Sequence, residues 1–199
     1  MRATFFFDPV CPFTWRTSRW LLGVAAERDV TIHWRPISLA ILNNFEIETG
    51  EDGGDNPYRP MMIAAFKAHR LVEALRVEGR DDTIGVFYTE MGARTHEAGA
   101  ALSDEIVVQA AEAAGIDDPK SFMNDNGWDE SVRASHQTAM TLAGPDIGSP
   151  VVHVDGAKRG LHGPIIAEVP TGAEALQLWD LIVPLMRMEN FFEVKRGRG

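Results

Sequence analysis

A chain of 199 residues, 45% hydrophobic and 24% charged, can form one large globular domain or a smaller one carrying an insertion. Nineteen Lys and Arg against 29 Asp and Glu leave a formal charge of -10, which excludes the basic face that nucleic acid requires. One cysteine excludes an internal disulfide and any multi-thiolate metal centre. With no run near the ~20 apolar residues of a membrane span and no secretory leader in MRATFFFDPV, a cytoplasmic protein off the membrane is expected.

The run ATFFF (3–7) predicts a short strand, stopped by Asp8-Pro9. From Cys11 to Arg28, residues Trp15, Trp20, Leu21, Leu22, Val24 and Ala25 form a broad apolar helical face. Pro12 suits the first turn of that helix, where its missing N–H costs nothing. VTIHWRPI (30–37) alternates as a half-buried strand, with Val30, Ile32 and Trp34 on one face. Strand, helix, strand in this order is a βαβ unit with parallel strands.

ETGEDGGDNP (48–57) is polar and glycine-rich, a loop. From 58 to 143 the chain reads as helical, with Ser103 capping one helix, Gly115 stopping it and Gly127-Trp128-Asp129 opening the last. SPVVHVDG (149–156) is a strand ending in an Asp-Gly turn, and AKRGLHG (157–163) is its expected hairpin partner. GAEALQLWDLIVPLMRM (172–188) predicts a closing helix, bent or ended near Pro184. Setting aside 46–144 leaves β-α-β followed by β-β-α, the connectivity of a thioredoxin fold. The predicted architecture is α/β: a thioredoxin-fold domain, 1–45 and 145–199, with an all-helical insertion, 46–144, between its halves.

In that fold Cys11 stands at the mouth of the first helix, where unpaired N–H groups and the positive end of the dipole favour a thiolate. The bland alternative is an inert cysteine serving as a small hydrophobe. The strand-to-helix position and the Cys-Pro pair favour a nucleophile. Thr14, one turn on, is placed to donate a hydrogen bond to the sulfur. Ser149-Pro150 precedes the third strand, where the fold calls for a cis proline facing the cysteine, with the Ser149 backbone open to pair with a thiol substrate.

The six histidines, 33, 69, 96, 136, 153 and 162, form no H-E-x-x-H or paired-carboxylate pattern, so no metal site is expected. His162, ahead of Gly163-Pro164, would lie near the active site in this fold. Arg94 could bind an acidic or sugar group through its forked donors, or pair with Glu90 or Glu97 on a helix surface. His96 divides between cleft and helix surface, and Trp15 between site and core.

The blocks FFFDPVCPFTWRTSRWLLGVA, ISLAILN, FYTEMGARTHEAG, GSPVVHVDG, LHGPII and FFEVKRGR, spanning about 5 to 197, together resemble the actinobacterial mycothiol-dependent nitroreductase family. The resemblance implies a DsbA-like thioredoxin fold. It also implies a cytosolic, often dimeric enzyme that draws electrons from mycothiol or another small thiol, holds no tightly bound cofactor, and reduces disulfides or, in some members, nitro compounds. It assigns Cys11 as nucleophile with Pro12, Phe13 and Trp15 beside it. Asn43, Tyr58, Arg94 and His96 then line the thiol and substrate cleft. Thr14 stands where the closest relatives carry a second, resolving cysteine, so a monothiol cycle is what remains. Two other uses of the fold are a kappa-class-like thiol transferase or isomerase and a catalytically silent ligand-binding member; the former usually carries serine at the Cys11 position.

Overall fold

The computed structural model describes residues 1–45, 47 and 56–197. Of the loop expected at 48–57, only 56 and 57 fall within the described residues. Strand β1 (Arg2–Phe7) leads through a tight loop into helix α1 (Pro12–Glu27), which returns to strand β2 (Thr31–Pro36). β1 and β2 are parallel, with Phe5 opposite Trp34, as a helical crossover requires. Strand β3 (Val151–Val154) pairs antiparallel with the other edge of β1, and the two-residue β4 (Leu161–His162) pairs antiparallel with β3. The sheet order is β2-β1-β3-β4, that of a thioredoxin fold.

The central position of β1 explains its triple phenylalanine: Phe5, Phe6 and Phe7 are all fully buried because both faces are covered. Phe7 packs on Tyr88 with ring centroids 4.4 Å apart, while Phe6 faces the opposite cluster of Ile37, Ala139 and Val151. Between the halves of the sheet run α2 (Leu39–Leu42), α3 (Arg59–Val77), α4 (Asp81–Gly92), α5 (Asp104–Ala113), α6 (Pro119–Met123) and α7 (Asp129–Ala143). Ser103 Oγ accepts the Ile106 N–H at the start of α5, and Gly115 takes the left-handed conformation (φ 72°) just past its end. Helix α8 (Gly172–Met186) closes the fold against α1, where Trp20 Nε1 donates to Ala175 O at 3.0 Å. Among the described residues no helix is long and apolar enough to cross a membrane.

Two expectations differ in detail. The hairpin partner 157–163 shrinks to Leu161–His162, because the Gly160 N–H is taken by Leu142 O of α7 and not by β3. Helix α8 runs through Pro184 to Met186, since a proline in the last turn removes only one intrahelical bond.

Candidate active site

Cys11 is the N-cap of α1: its backbone is extended (ψ 115°), its N–H donates to Asp8 O at 3.2 Å, and its carbonyl accepts the Trp15 N–H. Pro12, exposed, occupies the first helical position. The sulfur therefore lies at the positive end of a sixteen-residue helix. It is 9% exposed, and its S–H donates to the Ser149 carbonyl at 3.3 Å. The Ser149–Pro150 peptide is cis, as is Gly163–Pro164, whose proline carbonyl accepts the Thr17 hydroxyl at 2.7 Å.

Thr14 does not serve the sulfur. Its buried hydroxyl shares a 2.7 Å hydrogen bond with Ser149 Oγ, which also accepts the Asp8 N–H at 3.0 Å. The expected thiolate donor is thus a strut between α1 and the Ser149–Pro150 turn. A position one helical turn from Cys11 fixes which side of the helix Thr14 occupies. The hydroxyl of a residue 135 positions away was invisible to that argument.

Asp8, which the sequence marks only as a strand stop, proves to be a buried acid beside the cysteine loop. Its side chain is fully buried, with Oδ1 accepting the Val10 N–H at 2.9 Å and Oδ2 the Leu39 N–H at 2.7 Å. Burial pushes its carboxyl up to about 6, against the opposing effect of those two amides. The available signal was an ionisable residue closing an apolar run three positions before the only cysteine.

Trp15 is a core residue one helical turn past Cys11. It is 6% exposed, stacks on His96 (5.9 Å, 27°), and has the Arg19 guanidinium 3.9 Å from its ring centroid. A Cβ on Gly92 would lie 2.2 Å from its ring, so α4 approaches Trp15 only with bare backbone. Just beyond, Ala93–Glu97 forms a π-helical turn that presents His96 to the cysteine loop, and such turns recur at functional sites. His96 Nε2 donates to Pro9 O at 2.8 Å, the only role open beside a carbonyl, and burial keeps the ring neutral by lowering its pKa.

The other assigned residues divide. Phe13, half-buried, carries Arg16 over its ring. Asn43 and Tyr58 come together in a different pocket of about 470 Å³, shared with Asn44, Phe45, Asn56 and Met62; none of the Cys11 loop lines it. Arg94 is turned onto its own helix, donating to Glu90 O and Glu90 Oε2, so the surface ion pair describes it. His162 pairs with Val151, and its Nε2 lies 3.7 Å from where a Gly148 Cβ would stand, one residue from Ser149. Among the described residues no three metal-ligating side chains gather.

The buried titrating groups predict an unusual acid profile. His69, fully buried with Nε2 on Phe7 O, is pushed down to about 3 by burial, and His96 and His136 are also lowered by burial. These rings take up protons only on unfolding, so their contribution is present above the ordinary value of 6.5 and is lost as pH falls. Asp8, raised from 3.8, works oppositely: between about 6 and 4 the folded state binds a proton that the unfolded chain releases. At ~1.4 kcal/mol per pH unit, His69 and Asp8 each contribute roughly 3 kcal/mol over that window and nearly cancel. Urea unfolding should therefore show a shallow decline from pH 6.5 to 4, set by His96 and His136, and a steep one below 4, where Asp8 no longer offsets His69. A steep fall already complete by pH 5 would contradict these assignments.

A family model described as Rv2466c-like, mycothiol-dependent nitroreductase Rv2466c, matches residues 10–196. The chain is 29% identical over 204 residues to the uncharacterized protein Rv2286c of Mycobacterium tuberculosis (strain ATCC 25618 / H37Rv), covering 98% of this chain and 81% of that one. Among solved structures it is similar to a 2-hydroxychromene-2-carboxylate isomerase (16% identity, TM-score 0.61, 94% of this chain and 95% of that one). It is also similar to the cytosolic disulfide reductase DsbM from Pseudomonas aeruginosa (13% identity, TM-score 0.55, 93% of this chain and 100% of that one). At these identities the solved structures speak for the fold alone, the DsbA-like thioredoxin fold.

Proposed function

Because the chain belongs to the Rv2466c-like family of mycothiol-dependent nitroreductases, we propose that it is a thiol-disulfide oxidoreductase in which one sulfur, Cys11, carries the covalent chemistry. The observation that carries this reading is the pairing of Cys11 at the N-cap of α1 with Thr14 one turn away, fully buried and hydrogen-bonded to Ser149. The one thiol stands at the helix start, and the chain has no second cysteine to resolve a disulfide on it.

For a mixed disulfide of mycothiol with a second thiol R, the Cys11 thiolate attacks the mycothiol sulfur. The Cys11–mycothiol S–S bond forms, the original S–S bond breaks, and R leaves as a thiolate that takes a proton from water. A second mycothiol thiolate then attacks the mycothiol sulfur on Cys11, releasing mycothiol disulfide and restoring the Cys11 thiolate. The mixed disulfide and one mycothiol thiol thus become mycothiol disulfide and one free R thiol, so S–S bonds and electrons balance without another cofactor. Reduction of a nitro group would draw its electrons from the same source, two per mycothiol disulfide formed.

The geometry supports each half of the cycle. The helix start stabilises the thiolate as attacker and, in the second half, as leaving group. When the S–H ionises, its bond to Ser149 O is given up, and that carbonyl becomes available to an amide N–H of the incoming substrate. Asn43 and Tyr58 line a separate pocket that none of the Cys11 loop shares, so their part in holding the remainder of the thiol rests on the family resemblance. A reducing cytoplasm supplies the thiol pool this cycle needs. The experiment that tests the reading is a search for mycothiol bound through a disulfide to Cys11 during turnover.

A further inference from the structure

Asp8 joins three separate parts of the chain at the reactive sulfur. Its own carbonyl accepts the Cys11 N–H, and its own N–H donates to Ser149 Oγ, the hydroxyl that Thr14 also holds. Its carboxylate accepts Val10, the residue immediately before Cys11, and Leu39, at the start of α2. The two ends of the S–H···O contact are thus tied through one side chain and its peptide to the same strand terminus.

The hydrogen bonds favour the ionised carboxylate. Each oxygen accepts one backbone N–H, and protonation removes the charge that strengthens both bonds. Among the described residues no cation pairs with it. The titratable groups around it are Cys11 at α1, Tyr88 on α4, His69 on α3 against Phe7 O, His96 on the π turn against Pro9 O, and His136 on α7, whose Nδ1 accepts the Ser38 N–H. Burial holds the three histidines and the tyrosine in their neutral forms. A buried carboxylate that meets two amides and no cation sets backbone geometry at the expense of desolvation.

We propose that Asp8 is a positioning residue for the Cys11 reaction: its ionised carboxylate holds the 8–11 loop and the start of α2 in register, and its protonation loosens the presentation of the sulfur to substrate. The inference rests on Cys11 being the reacting group, and on nothing about which thiol it meets. Cys11 reactivity then depends on two ionisations, its own and that of Asp8, which titrates near pH 6.

The test is the rate of Cys11 alkylation by iodoacetamide across pH 4.5 to 9, in the native protein and in Asp8→Asn. The asparagine keeps the shape but sets an NH2 against one of the two amides. In the native protein the rate should show a second bend at the pH where the Asp8 carboxyl titrates, followed by 13C NMR of labelled aspartate. In Asp8→Asn that bend disappears, and the plateau rate falls about tenfold, the size of one charge-assisted hydrogen bond. A folded Asp8→Asn protein with the native profile, second bend included, overturns the proposal. If Asp8→Asn does not fold, the native protein decides: an Asp8 titration with no matching bend in reactivity overturns it equally. A matching bend in a protein that never takes up mycothiol would sustain the role of Asp8 and sink the proposed cycle instead.

Discussion

Replacing Cys11 by serine is expected to abolish thiol-dependent turnover, lowering kcat/KM by ~10³ or more. A serine hydroxyl at the same N-cap remains protonated at neutral pH and forms no exchangeable bond with sulfur. The fold should survive intact. Cys11 is the cap of α1, serine is a favoured cap residue, and its O–H can retain the bond to Ser149 O. A stability change within about 1 kcal/mol is therefore expected alongside the loss of activity. Activity retained in Cys11→Ser would favour the alternative reading, a transferase or isomerase in which the thiol is never bonded to Cys11.

The largest effect on stability is expected away from the sulfur, at Arg70. Its guanidinium meets Asp129 through two bonds, Nε to Oδ1 at 2.5 Å and Nη2 to Oδ2 at 3.0 Å, and donates a third to Met123 O. Both partners are 7% exposed. Arg70→Leu leaves the Asp129 carboxylate buried without its cation, which typically costs about 3–5 kcal/mol. Arg70→Leu combined with Asp129→Leu should recover most of that loss, because the cost lies in the orphaned charge. Urea midpoints of the single and double variants measure this directly, and equal destabilisation in both would refute it. The consequence reaches the site: α3 also carries His69, which bonds Phe7 O just before Asp8.

Most of the architecture was legible because its signals are local. ATFFF and VTIHWRPI announce buried strands, and Cys11-Pro12 marks the helix start between them. The placement of Ser149-Pro150 beside Cys11 followed from connectivity, once the helical stretch was set aside. The Arg94–Glu90 pair was legible as a four-residue spacing, although the family likeness pointed Arg94 toward the cleft. What escaped was non-local or depended on burial. The fourth position of Cys-Pro-Phe-Thr says nothing of Ser149 Oγ, which captures the Thr14 hydroxyl. Nothing in FFFDPV shows that Asp8 will be sealed from water with one amide from Val10 and another from Leu39. The π turn at 93–97 has no simple periodic signature, yet it carries His96 to Pro9 and Trp15. The demand of Trp15 for a bare Gly92 likewise appears only once α1 and α4 are packed.

The most direct measurement is the intact mass of the protein after mixing with a mixed disulfide of mycothiol, before and after excess mycothiol is added. The monothiol cycle predicts a one-to-one adduct of the mass of mycothiol, located on Cys11, absent in Cys11→Ser and discharged by added mycothiol with release of mycothiol disulfide. An unmodified protein that nevertheless consumes the disulfide would contradict the cycle, as would an adduct that mycothiol does not discharge.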